Sequence, residues 1–195
     1  ASAVGRGADG GSPLDPRLGR ALTTADQLLG VDDHLFQRAL GRLALELVEG
    51  ILAERHAAAE SLEHHVELRK FIRGDELILS LRGIGMRHGK FGIFHRYDGN
   101  NEEDTIFSAA SLVEPGSFDL TNIKEQELPG ISLFLILPGP MEGAEAFDMM
   151  MSAARAVAQA LDGELLDESG STLSIQRERY MREEVIQFEH SIKVA

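Results

Sequence analysis

The stretch Ile131-Ser-Leu-Phe-Leu-Ile-Leu-Pro138 constrains this chain more than any other. It reads as a β-strand with large apolar side chains on both faces. Successive side chains on a strand point to opposite sides, so Ile131, Leu133, Leu135 and Leu137 share one face. Ser132, Phe134 and Ile136 share the other. Few helical segments are available to cover a sheet. One covered face is ordinary, and a second apolar face has to meet something else, such as a partner protein.

Composition narrows the choice. At 195 residues the chain holds one ordinary domain plus an extension, and 43% hydrophobic content supplies a core. The formal net charge is −13, from 19 basic and 32 acidic residues. Such a surface repels phosphate backbones and anionic lipid head groups, which disfavours general nucleic-acid binding. The absence of cysteine excludes disulfides, thiolate zinc sites and cysteine nucleophiles. No apolar run approaches the roughly 20 residues that span a bilayer. Tryptophan is absent and only two Tyr accompany nine Phe, so any aromatic binding platform would use Phe.

Residues 1–20 are rich in Gly, Pro, Ser and Ala and read as a flexible linker. Residues 21–70 read as a helical extension. In it Leu35, Phe36, Leu40, Leu43, Leu47 and Ile51 recur at three- and four-residue spacing, as on an amphipathic helix. A second helical stretch, Ala53 to Leu68, is rich in Ala, Glu and His and has only a thin apolar stripe. Residues 71–195 read as the folded domain. Asp75 is expected to cap a short helix that carries Leu77, Ile78 and Leu81 and ends near Gly85. Strands are expected at Phe91–Tyr97 and Thr105–Ser111, joined by the turn Asp98-Gly-Asn-Asn101. After an irregular crossing at 118–127 comes the apolar strand. A helix over Ala144–Leu161 follows, with Phe147, Met150, Met151, Ala154, Val157 and Leu161 on one stripe and Gly163 as its cap. Glu164–Asp167 reads as an edge strand. A last helix opens at Thr172 or Ser174 and carries Met181, Val185, Phe188 and Ile192. The order α-β-β-β-α-β-α predicts an α+β fold: an antiparallel sheet with helices on one face and an open apolar face.

Several segments, taken in order, resemble the C-terminal domain of the bacterial cell-division protein ZipA. They are Phe91-Gly-Ile-Phe-His-Arg96, the run Ile106 to Asp119 containing Val-Glu-Pro-Gly-Ser-Phe, and Pro129 to Pro138. Phe147-Asp-Met-Met-Met151 and Leu161-Asp-Gly-Glu-Leu-Leu-Asp167 follow at matching spacing. The resemblance covers residues 74 to about 190. It implies a split β-α-β sheet whose open face is a shallow groove for the C-terminal tail of the tubulin-like protein FtsZ. Carried over by position, the groove comprises Phe91, Ile93, Ala110, Leu112, Ser132, Phe134 and Ile136, with Lys90 and Glu114 at its rims. At those two rims the charge departs from the family pattern. The resemblance further implies a non-enzymatic adaptor that needs no cofactor or metal. It would work on the cytoplasmic face of the inner membrane, anchored by a membrane helix upstream. The family's first strand should precede Gly74, yet residues 55–73 do not look like one. Either a strand hides near Val66 to Ile72, or the sheet lacks it.

Other chemistry is weaker. His64-His65 with Glu60, Glu63 and Glu67 suggests a metal cluster, but no third ligand converges, and a solvated helical face is the plain reading. His95-Arg96 with Asp98 has no nucleophile at a recognisable spacing; structural roles fit better, with His95 and Tyr97 on the face of Ile93. Gly83, Gly85 and Gly89 lack the strand and the Gly-Lys-Ser/Thr that a phosphate loop requires. Two further functions are set against the adaptor: a single-stranded RNA-binding sheet, which needs basic residues beside its Phe side chains, and a self-associating sheet.

Overall fold

The computed structural model describes residues 62–194. Strand β1 (Leu62–Arg73) leads directly into helix α1 (Gly74–Gly83). Short β2 (Arg87–His88) and a 3-10 turn at Lys90–Gly92 precede β3 (Phe94–Tyr97) and β4 (Thr105–Ser111). A loop with a second 3-10 turn, Ile123–Glu125, enters β5 (Glu127–Leu137). Then come α2 (Gly143–Leu161), β6 (Glu164–Leu166) and α3 (Ile175–Val194). The six strands lie in the order β2-β3-β4-β5-β1-β6, and every pairing is antiparallel. This is the expected α+β layout.

The helical reading of Ala53–Leu68 fails over its described part. Leu62–Arg73 is a long strand between β5 and β6, so the strand sought near Val66–Ile72 is present. Its alternation explains both the misreading and the fold. His64, Val66 and Leu68 point to the helix side, where Val66 and Leu68 enter the core. Glu63, His65 and Glu67 point the other way, and a strand whose second face is polar imitates a solvated helix. The expected linker and the stretch 21–61 lie outside the described residues.

The three helices all contribute to one core. Leu77, Ile78 and Leu81 of α1, the Phe147–Val157 stripe of α2, and Met181 and Val185 of α3 pack with Val66, Leu68, Leu133, Leu135 and Leu137. Met150 and Met151 are buried there, as their helical spacing requires. Helix ends depart from the sequence reading. Asp75 is not the cap of α1: that place falls to Arg73, and Asp75 sits in the first turn, accepting from the Glu76 amide at 3.0 Å and from the Arg73 guanidinium. At the end of α2 it is Asp162, not Gly163, that takes the left-handed conformation (φ 52°, ψ 44°).

Helix α2 is capped from a distance. Buried Glu189 of α3 accepts from the Gly143 amide at 2.6 Å, placing a carboxylate at the positive end of the α2 dipole. Two surface pairs, Arg155–Glu178 and Arg182–Asp148, join the same helices. Because the Glu189 contact is buried and charge-assisted, Glu189→Ala is expected to cost about 1–3 kcal/mol in urea unfolding. Breaking the exposed Arg182–Asp148 pair should cost at most about 1 kcal/mol.

Candidate functional site

The site is built on the sheet face opposite the helices. Strand register sets its rows. His95 pairs with Ser108, Ser108 with Phe134, and Phe134 with His65, all on this face. The next row runs Ala110, Ser132, Glu67, Leu166. Ile93, just before β3, joins Ala110, Phe134 and Ile136 in an apolar cluster separate from the main core. The face is thus divided. Apolar side chains occupy β4, β5 and the approach to β3, while β1 presents His65 and the buried carboxylate of Glu67, bound by Arg69 at 2.7 and 2.5 Å.

The structure brings together Ile93, Ala110, Ser132, Phe134 and Ile136 as their positions required. Leu112 lies just beyond β4, buried against Gly130, whose carbonyl accepts its amide at 3.2 Å. Phe91 needs correction: it is not in a strand but in the 3-10 turn, with φ 60° and 42% of its surface exposed at the rim. The expectation of a bare apolar layer also needs correction. None of the three helices enters the cluster, yet Ile93, Ala110, Phe134 and Ile136 are only 0, 1, 1 and 5% exposed within the chain. Beside this floor, under Phe91 and Tyr97, a cavity of about 250 Å³ reaches Phe134 and Ile136.

The rims are charged. Lys90 holds the Glu103 carboxylate at 3.1 and 3.2 Å, and Glu114 is exposed in the turn after β4. Sequence reasoning missed His65, Glu67 and Ser108 as members of this face. The signal was the alternation of His64, Val66 and Leu68 against His65 and Glu67, hidden by the abundance of Ala and Glu just upstream.

His95 is structural. Its Nε2 donates to the Lys90 carbonyl at 3.0 Å, which leaves Nδ1 to accept from the Ser108 hydroxyl at 2.8 Å. Tyr97 stacks beside it at 5.5 Å. Arg96 points to the other side and donates to the Gly85 carbonyl at 3.1 Å. His64 is not on a solvated helical face; it is buried on the helix side, edge-on to Phe147, with Glu184 at 3.9 Å. Among the described residues, no three His, Asp or Glu side chains converge to hold a metal ion.

Burial holds both His64 and His65 below the ordinary imidazole pKa. For His64, Glu184 opposes the shift and Arg177 and His65 add to it; for His65, Glu67 and Asp167 oppose it. The folded state therefore favours the neutral rings. As pH falls below about 6.5, the unfolded chain takes up these protons first, and stability is lost. Thermal melts at pH 7.5 and 5.5 should show this loss, and His64→Gln should reduce it.

Residues 65–184, more than half of the chain, match the family described as ZipA, C-terminal FtsZ-binding domain. The chain is similar to proteins named cell division protein ZipA. It is 39% identical to that of Xylella fastidiosa (strain Temecula1 / ATCC 700964) over 124 residues, covering 63% of this chain and 51% of the relative. It is 42% identical to that of Stutzerimonas stutzeri (strain A1501) over 120 residues, covering 60% and 43%. The chain spans about half the length of the curated relatives it matches. No helix among the described residues is long and apolar enough to cross a membrane.

Proposed function

The chain belongs to the family of ZipA C-terminal FtsZ-binding domains, and on that premise we propose that its second sheet face docks the C-terminal tail of FtsZ. One observation carries the reading. Ile93, Ala110, Phe134 and Ile136 form an apolar cluster to which, among the described residues, no helix contributes. A core residue normally meets a second layer of its own domain, and here that layer is not one of α1–α3.

The tail enters by the helix-in-groove mode: a few apolar anchors replace whatever shields the floor, and the charged rims set its direction. Ordering a flexible tail costs free energy, so the affinity is micromolar, on the order of −8 kcal/mol. With Lys90 engaged by Glu103 and Glu114 exposed, the rims favour a tail of different charge pattern from one suited to the opposite signs. The domain acts as an adaptor in cell division at the cytoplasmic face of the inner membrane.

Titration with a synthetic FtsZ tail peptide tests this. Phe134→Ala is expected to weaken binding by about 2 kcal/mol, roughly thirtyfold. Ile131→Val, three positions away on the helix-covered face, should lose about 1 kcal/mol of stability and keep its affinity. Equal affinities for Phe134→Ala and the parent chain would refute the groove.

A further inference from the structure

Phe91 breaks two rules at once. It is a bulky residue in the left-handed backbone region (φ 60°, ψ 9°), and 42% of its surface meets solvent. A large side chain is strained in that region, and a half-exposed ring gains little from burial. Folding alone accounts for neither feature. Strain of this kind persists only where the surroundings impose it, and here they do. The Gly89 amide donates to the Ile93 carbonyl at 2.9 Å, the Gly92 amide to the Gly89 carbonyl at 3.2 Å, and the Phe118 amide to the Gly92 carbonyl at 2.7 Å. His95 Nε2 holds the Lys90 carbonyl from β3. Gly92 is itself left-handed (φ 68°), with Ser117 Cβ 3.0 Å from where a Cβ would stand. The turn is thus fixed from β3 and from the segment after β4, and its backbone aims the side chain of Phe91.

The ring forms one wall of the cavity of about 250 Å³, together with Tyr97, Phe134 and Ile136. That volume falls below the roughly 300–1,000 Å³ of pockets that take small molecules, and it suits one large side chain. The charges around it are matched within the chain: Lys90 with Glu103, and Glu102 with Arg87 at 3.6 Å. His95 is engaged at both ring nitrogens. A charged occupant would find no free counter-charge, so the space fits an apolar one.

We propose that the turn from Gly89 to Ile93 is a preorganised mount for Phe91, and that the cavity beneath its ring takes a single large apolar side chain of the docked tail. The inference rests on the groove reading above and adds the residue that sets its selectivity. Strain held in the free chain fixes the ring before the tail arrives, which lowers the ordering cost of binding.

Phe91→Gly and Phe91→Ala both delete the ring and separate its two roles. At an ordinary position Gly melts below Ala. At a left-handed one the order reverses, and Phe91→Gly should melt about 3 °C above Phe91→Ala. Both should bind an FtsZ tail peptide about tenfold more weakly than the parent chain, and Phe91→Leu should recover most of that loss. Peptides with each large apolar side chain cut to Ala in turn should identify the inserted one. Its loss and that of Phe91→Ala are non-additive, while losses at the other positions add. Additive losses at every peptide position would overturn the proposal, as would Phe91→Gly melting below Phe91→Ala. If Phe134→Ala weakens the peptide but neither Phe91 variant does, the groove stands and the mount falls. If the parent chain does not bind the peptide, the FtsZ reading falls, and the role of Phe91 in tail binding falls with it.

Discussion

Phe147→Ala is expected to destabilise the domain by about 3–5 kcal/mol, a large part of the total for a fold of this size. Phe147 has no exposed surface and is the bulkiest residue of the α2 stripe. It packs with the main core, and its ring meets the edge of His64 on β1 at 6.1 Å between centroids. Truncation therefore opens a cavity between α2 and β1, and it also removes an apolar wall from a buried imidazole. In guanidinium unfolding the midpoint should fall with the slope unchanged, since the surface exposed on unfolding is nearly the same. Phe147→Leu, which keeps most of the volume, should cost less than half as much. A loss below about 1 kcal/mol for Phe147→Ala would mean that α2 is not seated on β1 as described.

Gly130→Ala should be nearly as damaging, at about 3 kcal/mol or more, for a different reason. Gly130 lies in β5 opposite Arg69, at the edge of the irregularity in β1 between Arg69 and Ile72. Its φ is +153°, and an added Cβ would stand 2.2 Å from the Leu68 carbonyl oxygen and 2.9 Å from Leu112 Cδ1. The first of those contacts is backbone in β1, a strand paired on both sides, which cannot retreat without breaking the ladder. Gly99 provides the comparison: it also has positive φ (+65°), but its missing Cβ faces open space. Gly99→Ala should cost only the conformational strain, about 1 kcal/mol. The difference between the two melts measures the close approach of β1 and β5.

What the sequence conveyed and what it hid follow one physical rule. β4 was readable because turns bound Thr105–Ser111, and α2 because its apolar stripe recurs at helical spacing up to Leu161. β5 was readable as a strand because both of its faces are apolar over a short length. β1 was not, since its second face carries Glu63, His65 and Glu67, and burial of His65 and Glu67 depends on neighbours that only the sheet order supplies. The same rule governs the site. Alternation along β5 placed Ser132, Phe134 and Ile136 together, and β4 added Ala110. The 3-10 turn that lifts Phe91 to the rim depends on Gly89, Gly92 and a positive φ at Phe91 itself, which no period announces. Burial of the floor is a property of the assembled chain and has no signature in the strand that bears it.

The central claim is that the face of Phe134, and not the face of Phe147, receives the FtsZ tail. The most direct measurement is an NMR titration of the isotope-labelled chain with unlabelled tail peptide. Amide and methyl shifts should move at Ile93, Ala110, Ser132 and Ile136, while those of Leu77, Val157 and Met181 beneath the helices stay in place. Shifts concentrated on α1, α2 or α3, or a spectrum that does not change at millimolar peptide, would contradict it.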